Sequence, residues 1–347
     1  MSRPRIPSDL AIEIPGAPDM PGLRFRHFQG DDDLPGMAAA NNAARLVYDV
    51  EEMVDVESMR NDYANLSNSD LDDDVAVIEL DGRIVGYGRV EIDDQTDGSV
   101  AIETVGILEP DLRGRGIGAA LLDWMEGRAR VLAPSLDAAR ERWFGSFTWD
   151  ADAYARRLFE GRGYRPARQF FEMVRPTLDD IPDVPLPAGF EVRPVGAADL
   201  RVVWEADVAM FRDHWGDIDE SDAAFRRFSG DPRLDPALFV VAFDGDVIAA
   251  HVLNIIDDEE NRIRGRLFGI LDSVGTRAEY RRRGLARTLI CRSLGLLRDR
   301  GMAGASLDVD AENAHRALDL YTSCGFEIRS SSTAWRRPLD DLLEVSP

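Results

Sequence analysis

Cysteine is nearly absent from this chain: Cys291 and Cys324 are the only two in 347 residues, and neither lies in a CxxC or Cys/His pattern. A disulfide framework and a structural zinc site both lack their ligands, so reduced thiols and no metal are expected. Basic charge is also short, with 41 Lys and Arg against 64 Asp and Glu and a formal net charge of −23. Nonspecific binding to nucleic acid or to an anionic membrane depends on Lys and Arg meeting phosphates, so neither partner is expected. The acidity itself reads as a solvated surface, compatible with a cationic or amine-bearing substrate. No apolar run approaches the roughly 18 residues of a spanning helix, and residues 1–22 carry Pro and Asp where a signal peptide has an apolar core. A cytoplasmic location is expected.

What is present is enough sequence for two hydrophobic cores, and a pattern that repeats. Leu23-Arg24-Phe25-Arg26 has a counterpart in Phe190-Glu191-Val192-Arg193, each ahead of an Asp-Leu pair and a helical stretch. The hairpin signal Val77-Ile78-Glu79-Leu80-Asp81-Gly82-Arg83-Ile84-Val85 recurs as Val240-Val241-Ala242-Phe243-Asp244-Gly245-Asp246-Val247-Ile248, with Asp-Gly supplying the positive-φ turn residues. Arg113-Gly114-Arg115-Gly116-Ile117-Gly118 recurs as Arg281-Arg282-Arg283-Gly284-Leu285-Ala286, and two short helices end on capping glycines at Gly163 and Gly325. Between the copies, Pro176 to Gly189 holds Pro176, Pro182, Pro185 and Pro187 among acidic residues, a composition suited to a stiff exposed linker. Each copy reads as β, helix region, hairpin, β, glycine turn, helix, β, helix and a final β; in the first copy the strand before the last helix is placed at Phe144 to Trp149.

A strand feeding a glycine turn into a helix N-terminus aims several unpaired N–H groups and the positive end of the helix dipole in one direction. An anion fits there, with Gly284 and the small Ala286 letting the backbone approach it and arginines adding charge. A single such turn reads equally well as a plain turn with solvated arginines; two in matching contexts favour a phosphate site. The turns lack a full G-x-G-x-x-G and come late in each repeat, which disfavours a Rossmann site, and the missing Gly-Lys-Ser/Thr ending excludes a Walker A loop.

At these residues a family resemblance becomes specific. Arg113-x-x-Gly116-x-Gly118 and Arg281-x-x-Gly284-x-Ala286 resemble the acyl-CoA pyrophosphate motif of the GNAT (Gcn5-related N-acetyltransferase) superfamily. The run Leu307-Asp308-Val309-Asp310-Ala311-Glu312-Asn313, followed by Ala317, Leu320, Tyr321 and Gly325-Phe326, is similar to the family's next strand and helix. The tandem arrangement, with His214-Trp215-Gly216 ahead of the second hairpin, resembles double-GNAT proteins of the mycothiol-synthase type. The resemblance implies an α/β (α+β) fold of two tandem GNAT-like domains, each a mixed, mostly antiparallel sheet flanked by helices. Its domains would be 23–176, degenerate, and 189–340, catalytic, after an extension over 1–22 and with a Pro-rich acidic linker over 177–188. It implies acetyl-CoA as cosubstrate, held by Leu108, Arg113, Gly114, Arg115, Gly116, Ile117 and Gly118 in the first copy. In the second, Val274, Thr276, Arg281, Arg282, Arg283, Gly284, Leu285, Ala286 and Asn313 would hold it.

Acetyl transfer to an alkyl amine, whose pKa is about 10.4, needs a base or a desolvating pocket, and the departing thiolate needs a proton. By helix register Tyr321 reads as a core tyrosine beside Ala314, Ala317 and Leu318; the resemblance implies the thiolate's proton donor. The same place before the capping glycine is Phe159 in the first copy, which cannot donate, and Asp152 stands near the Asn313 place. The resemblance puts carbonyl polarisation on a backbone amide at a bulge near Val274 to Thr276. Asp272 is the candidate base, expected on the face of Val274 by alternation, with a plain surface aspartate as the competing reading; Glu103 has the similar place in the first copy. His214 and Trp215 are candidate acceptor contacts, a packed or surface histidine being the alternative for the former. The expected function is acetyl-CoA-dependent N-acetylation of a primary amine on an unidentified small molecule. A nonenzymatic acyl-CoA-binding or regulatory protein and mycothiol synthesis itself are the alternatives.

Overall fold

A computed structural model describes residues 11–217, 219–312 and 317–344. The first repeat runs β1 (Leu23–His27), α1 (Leu34–Val47), α2 (Val56–Ala64), β2 (Val75–Leu80), β3 (Arg83–Asp94), β4 (Val100–Leu108), α3 (Ile117–Leu132), β5 (Arg142–Trp149), α4 (Ala153–Gly161) and β6 (Arg165–Arg175). The second runs β7 (Glu191–Arg193), α5 (Leu200–Phe211), α6 (Asp222–Ser229), β8 (Val240–Asp244), β9 (Val247–Ile255), α7 (Asp258–Arg264), β10 (Phe268–Thr276), α8 (Leu285–Asp299), β11 (Gly304–Asp310), α9 (Ala317–Ser323), β12 (Glu327–Pro338) and α10 (Leu339–Glu344). Apart from α7, capped by Asp257 and closed by a left-handed Gly265, and from α10 after the final strand, the order is the one the repeats announce.

The chain packs as two units whose limits cut across the chain-order division. Of the described residues, one holds those through Gln169, those of Trp215–Asp219 and those from Ser332 on; the other holds those of Phe170–His214 and Glu220–Ser331. In the first unit the strand order is β1-β2-β3-β4-β5-β12, with β4 and β5 parallel and the other pairs antiparallel. In the second the order is β6-β11-β10-β9-β8-β7, with β10 and β11 the parallel pair. The last strand of each repeat therefore completes the other repeat's sheet: Ser332–Pro338 of β12 pair with β5, and Phe170–Arg175 of β6 pair with β11.

Period-two alternation sends side chains to both faces of each sheet. Val75 and Val77 of β2 join the core under α1 and α2, while Ala76 and Ile78 join the one under α3. In the second unit α5 covers one face and α8 the other. Along α8, Leu285, Leu289, Leu294 and Leu297 are all buried, each worth about 1.5–3 kcal/mol removed from water, which fixes this helix and the turn before it against the sheet.

Two local expectations change. The first hairpin turns on Asp81 and Gly82, both at positive φ, but the second turns one residue later, on Gly245 and Asp246 with only the glycine at positive φ, a type II′ geometry. The expected exposed linker is a strap laid on the second unit. Leu178 is buried and its N–H donates to the Ala303 carbonyl (3.0 Å), the Thr288 hydroxyl donates to the Pro185 carbonyl (3.2 Å), and Ile181, Val184 and Leu186 pack on the α8 core. Its apolar residues, spaced between prolines, outweigh its charge. Among the described residues no helix is long and apolar enough to cross a membrane, and no group of three or more His, Cys, Asp and Glu is placed to hold a metal ion.

Candidate active site

In the second unit β10 and β11 pair only from Phe268 to Ile270 and then separate, although both strands continue. A bulge in the β9–β10 ladder lies at this point: Leu271 faces Asn254 and Ser273 faces Leu253, so Asp272 is the extra residue between two successive ladder positions. This places the bulge two residues earlier than the expected Val274 to Thr276. It also breaks the alternation on which Asp272 was expected to share a face with Val274. Leu271 and Val274, three apart, both pack on the α8 core, leaving Ser273 to meet α5 on the opposite face and Asp272 exposed. In the first unit β4 and β3 pair without interruption and β4 stays on β5 through Thr104, two residues further along the matching strand.

Beyond β10 the chain enters the Arg281–Ala286 turn. Arg282 takes φ +65° and Gly284 φ +86° as the N-cap of α8, a left-handed pair that turns the following N–H groups outward. A Cβ at Gly284 would meet no atom within 4 Å, so the helix N-terminus opens on free space. The three arginines are not alike. Arg281, expected to bind phosphate, is committed to the protein: it pairs with Asp213 (Nη2 to Oδ1, 2.9 Å) and donates to the carbonyls of Thr276 and Met210. Arg283 lies against the rings of Tyr280 and Phe190, its guanidinium carbon 5.4 and 5.8 Å from their centroids. Arg282 is exposed and has no protein partner among the described residues. Val274 is half-buried on the α8 core, Thr276 has a buried Oγ1 without a partner, and the Leu285 side chain is core, so its share of the turn is its backbone. Asn313 lies outside the described residues.

The first unit repeats the turn in a more crowded form. Gly116 (φ +85°) caps α3, with Pro18 3.9 Å from where a Cβ would lie, and at Gly114 (φ +74°) a Cβ would stand 3.0 Å from Tyr154. Arg113, like Arg281, has protein partners: it pairs with Asp152 (3.1 Å) and donates to the Tyr48 hydroxyl, with its side chain only 9% exposed. Asp152 is the N-cap of α4, which explains an aspartate there. Arg115 is exposed, Leu108 and Ile117 are core, and Gly118 lies in the first turn of α3.

Tyr321 is buried on α9, 6.1 Å ring to ring from Phe326, and burial raises its phenol well above the ordinary value. Among the described residues nothing hydrogen-bonds its hydroxyl. Phe159 in the first unit is sealed between Tyr164 and Trp335, at 5.0 and 6.1 Å. The two acceptor candidates part: His214 lies against Phe211 (ring centroids 4.4 Å apart, planes tilted by 50°) in the second unit, whereas Trp215 belongs to the first, under the Arg336 guanidinium (4.4 Å). There Arg336 also faces Glu103, whose carboxyl burial pushes up to about 7.

Sequence reasoning missed a hydrogen-bonded group on the α5 face of the second sheet. His251 Nε2 lies 2.9 Å from Asp207 Oδ1 and 3.3 Å from Ser273 Oγ, and the Ser273 hydroxyl donates to the same Asp207 oxygen at 2.5 Å. The only signal in the sequence is one histidine inside an otherwise apolar strand, Val247-Ile248-Ala249-Ala250-His251-Val252-Leu253.

A parallel strand pair that opens beside a helix N-terminus leaves room for an anion-bearing ligand, and among the described residues the open Gly284 turn, the exposed Arg282 and the buried Thr276 hydroxyl without a partner fit a diphosphate. The class is that of acyl-CoA-dependent acyltransferases. The acetyltransferase (GNAT) family model matches residues 200–326, and an acetyltransferase (GNAT) domain model matches 72–166. A mycothiol acetyltransferase of Frankia casuarinae is 31% identical over 268 residues, 74% of this chain and 73% of that protein, and one of Nocardiopsis dassonvillei is 30% identical over 75% and 81%. A solved GCN5-related N-acetyltransferase from Sphaerobacter thermophilus superposes with a TM-score of 0.67 at 26% identity, over 93% of this chain and 97% of that one. A tandem GNAT protein from the clavulanic acid pathway shares the fold, with a TM-score of 0.64 at 16% identity, over 91% and 98%. The chain belongs to the GNAT family as a tandem member: an N-acetyltransferase that uses acetyl-CoA as cosubstrate.

Proposed function

We propose that the second repeat carries the turnover, moving the acetyl group of acetyl-CoA to the primary amine of a small molecule, and that the first repeat is a degenerate copy. The observation that carries this reading is Tyr321, a buried phenol whose hydroxyl no described protein group engages, against the sealed Phe159. In this reading α8's N-terminal amides and Arg282 hold the diphosphate, and a backbone amide of β10 beyond the bulge polarises the thioester carbonyl. The amine nitrogen bonds to that carbon, the C–S bond breaks, the thiolate takes the Tyr321 proton, and the amine's surplus proton leaves to a base, for which exposed Asp272 is one candidate. Burial raises the Tyr321 pKa above its ordinary value, so the phenol is protonated at neutral pH and available to a thiolate formed beside it in the same dry pocket.

For the acceptor, similarity to several mycothiol acetyltransferases favours the amine precursor of mycothiol. The test is steady-state turnover of acetyl-CoA with that precursor and a panel of small amines, for the wild type and Tyr321→Phe. Loss of turnover in the variant with CoA binding intact is expected; undiminished turnover would remove Tyr321 from the reaction, and acetylation of other amines alone would remove the mycothiol reading.

A further inference from the structure

We propose that the Asp207 carboxylate seats the acceptor's amine as it arrives in its ammonium form, the surplus proton then leaving to the base before the nitrogen attacks, with Ser273 and His251 as the residues that position Asp207; this rests on the reading that the second repeat carries the turnover.

One oxygen of Asp207 is fully engaged and the other is not. Oδ1 accepts from the Ser273 hydroxyl at 2.5 Å and lies 2.9 Å from His251 Nε2. No described residue hydrogen-bonds Oδ2, and the side chain remains 26% exposed, so this oxygen faces outward while its twin is locked. A carboxylate held this way is aimed before any ligand arrives, which is what a charge-assisted bond to an ammonium needs. Asp207 meets β10 beside the bulge: Ser273 is the residue after it and the neighbour of Val274, on the stretch where β10 has parted from β11.

His251 shows that packing alone does not account for the arrangement. Its ring is completely buried, and its Nδ1 has no hydrogen-bond partner among the described residues. With Nε2–H donating to Asp207, the bare nitrogen is left in an apolar core, a cost that a leucine in its place would not carry.

The first repeat supplies an internal comparison. Asp207 is the eighth residue of α5 and Asn41 the eighth of α1; His251 is the fifth of β9 and Tyr87 the fifth of β3; Ser273 is the sixth of β10 and Val105 the sixth of β4. At these matching places the first repeat has no charge and no open acceptor. Asn41 Nδ2 donates to the Tyr87 hydroxyl at 2.9 Å, its oxygen accepts from Arg45 at 3.0 Å, and both Asn41 and Tyr87 are buried. The carboxylate thus accompanies the tyrosine: Asp207 with Tyr321 in one repeat, Asn41 with Phe159 in the other.

Asp207→Asn tests this in the full-length protein, because asparagine keeps the Oδ1 acceptor that Ser273 and His251 use and turns only the open oxygen into a donor. With n-butylamine and the amine precursor of mycothiol as varied substrates, the variant is expected to lose about a hundredfold in kcat/KM for the amine. Its KM for acetyl-CoA and its melting temperature should match the wild type. His251→Leu should act in the same direction, and His251→Gln, whose amide can replace the Nε2 donor, should recover most of the loss. If Tyr321→Phe is inactive while Asp207→Asn stays within threefold of wild type, Asp207 is only a brace between α5 and the sheet and the proposal falls alone. If Tyr321→Phe is fully active, or the wild type acetylates neither amine, the parent reading falls and takes this one with it.

Discussion

Replacing Gly284 with alanine separates backbone strain from ligand space. Gly284 caps α8 at φ +86° and ψ 1°, and a Cβ built on it meets no heavy atom within 4 Å. The new methyl touches nothing in the protein, so the cost to stability is that of holding an L residue in the left-handed region, about 1–2 kcal/mol. At roughly 2–4 °C per kcal/mol for a unit of this size, the melting temperature should fall by roughly 2–8 °C. If the α8 N-terminus holds the diphosphate as proposed, the effect on acetyl-CoA should be larger, since the methyl would fill the open space before the helix amides. Losing one charge-assisted bond there costs about 1.5–3 kcal/mol, a rise in the acetyl-CoA KM of roughly tenfold to a hundredfold. Gly116→Ala in the first repeat is the matched control: φ is +85° and the nearest atom, on Pro18, is 3.9 Å away, so the strain is the same. Its turnover should be that of wild type. The assays are thermal melts and initial rates against acetyl-CoA for both variants. An unchanged acetyl-CoA KM in Gly284→Ala, or an equal kinetic loss in Gly116→Ala, would refute the assignment of the working cradle to the second repeat.

Two further outcomes follow from the first unit. Trp335 is buried, donates its indole N–H to the Thr148 hydroxyl at 2.8 Å and stacks on Phe159, so Trp335→Ala should cost about 3–5 kcal/mol in urea unfolding followed by near-ultraviolet dichroism; a loss under about 1 kcal/mol would show that β12 is not integral to this core. Burial raises the Glu103 carboxyl from its ordinary 4.5 to about 7, against the pull of Arg336. The native state therefore holds a proton that the unfolded chain has already released, and stability falls as pH rises through that window. Glu103→Gln should lose less stability than wild type between pH 5 and pH 8 in thermal melts, and an identical pH slope in the two proteins would contradict this.

The parts of the site legible in the sequence are those whose requirements are local. Gly116 and Gly284 mark left-handed N-caps because an L residue there is strained whatever surrounds it, and the apolar stripe at Leu285, Leu289, Leu294 and Leu297 marks the buried side of the helix that follows. Tyr321 and Phe159 could be set side by side because each is counted back from a capping glycine. Repetition made the order of elements readable twice over. Other features depend on partners far along the chain. Nothing near Arg113 and Arg281 in the sequence announces their ion pairs with Asp152 and Asp213. Trp215 follows His214 directly, yet the two pack in different units, because a chain neighbour need not be a packing neighbour. The bulge at Asp272 carries no composition signal, since it exists only as a mismatch between two strands. Asp207, His251 and Ser273 sit on three separate elements, and no spacing in the sequence predicts that one carboxylate oxygen will receive both donors. The sequence by itself determined the repeat, the two glycine turns and the tyrosine that differs between them, all written in short-range backbone geometry. Only the tertiary structure decided which arginine is free, where β10 parts from β11 and which carboxylate points outward, because those depend on how strands register and on which polar groups neutralise one another.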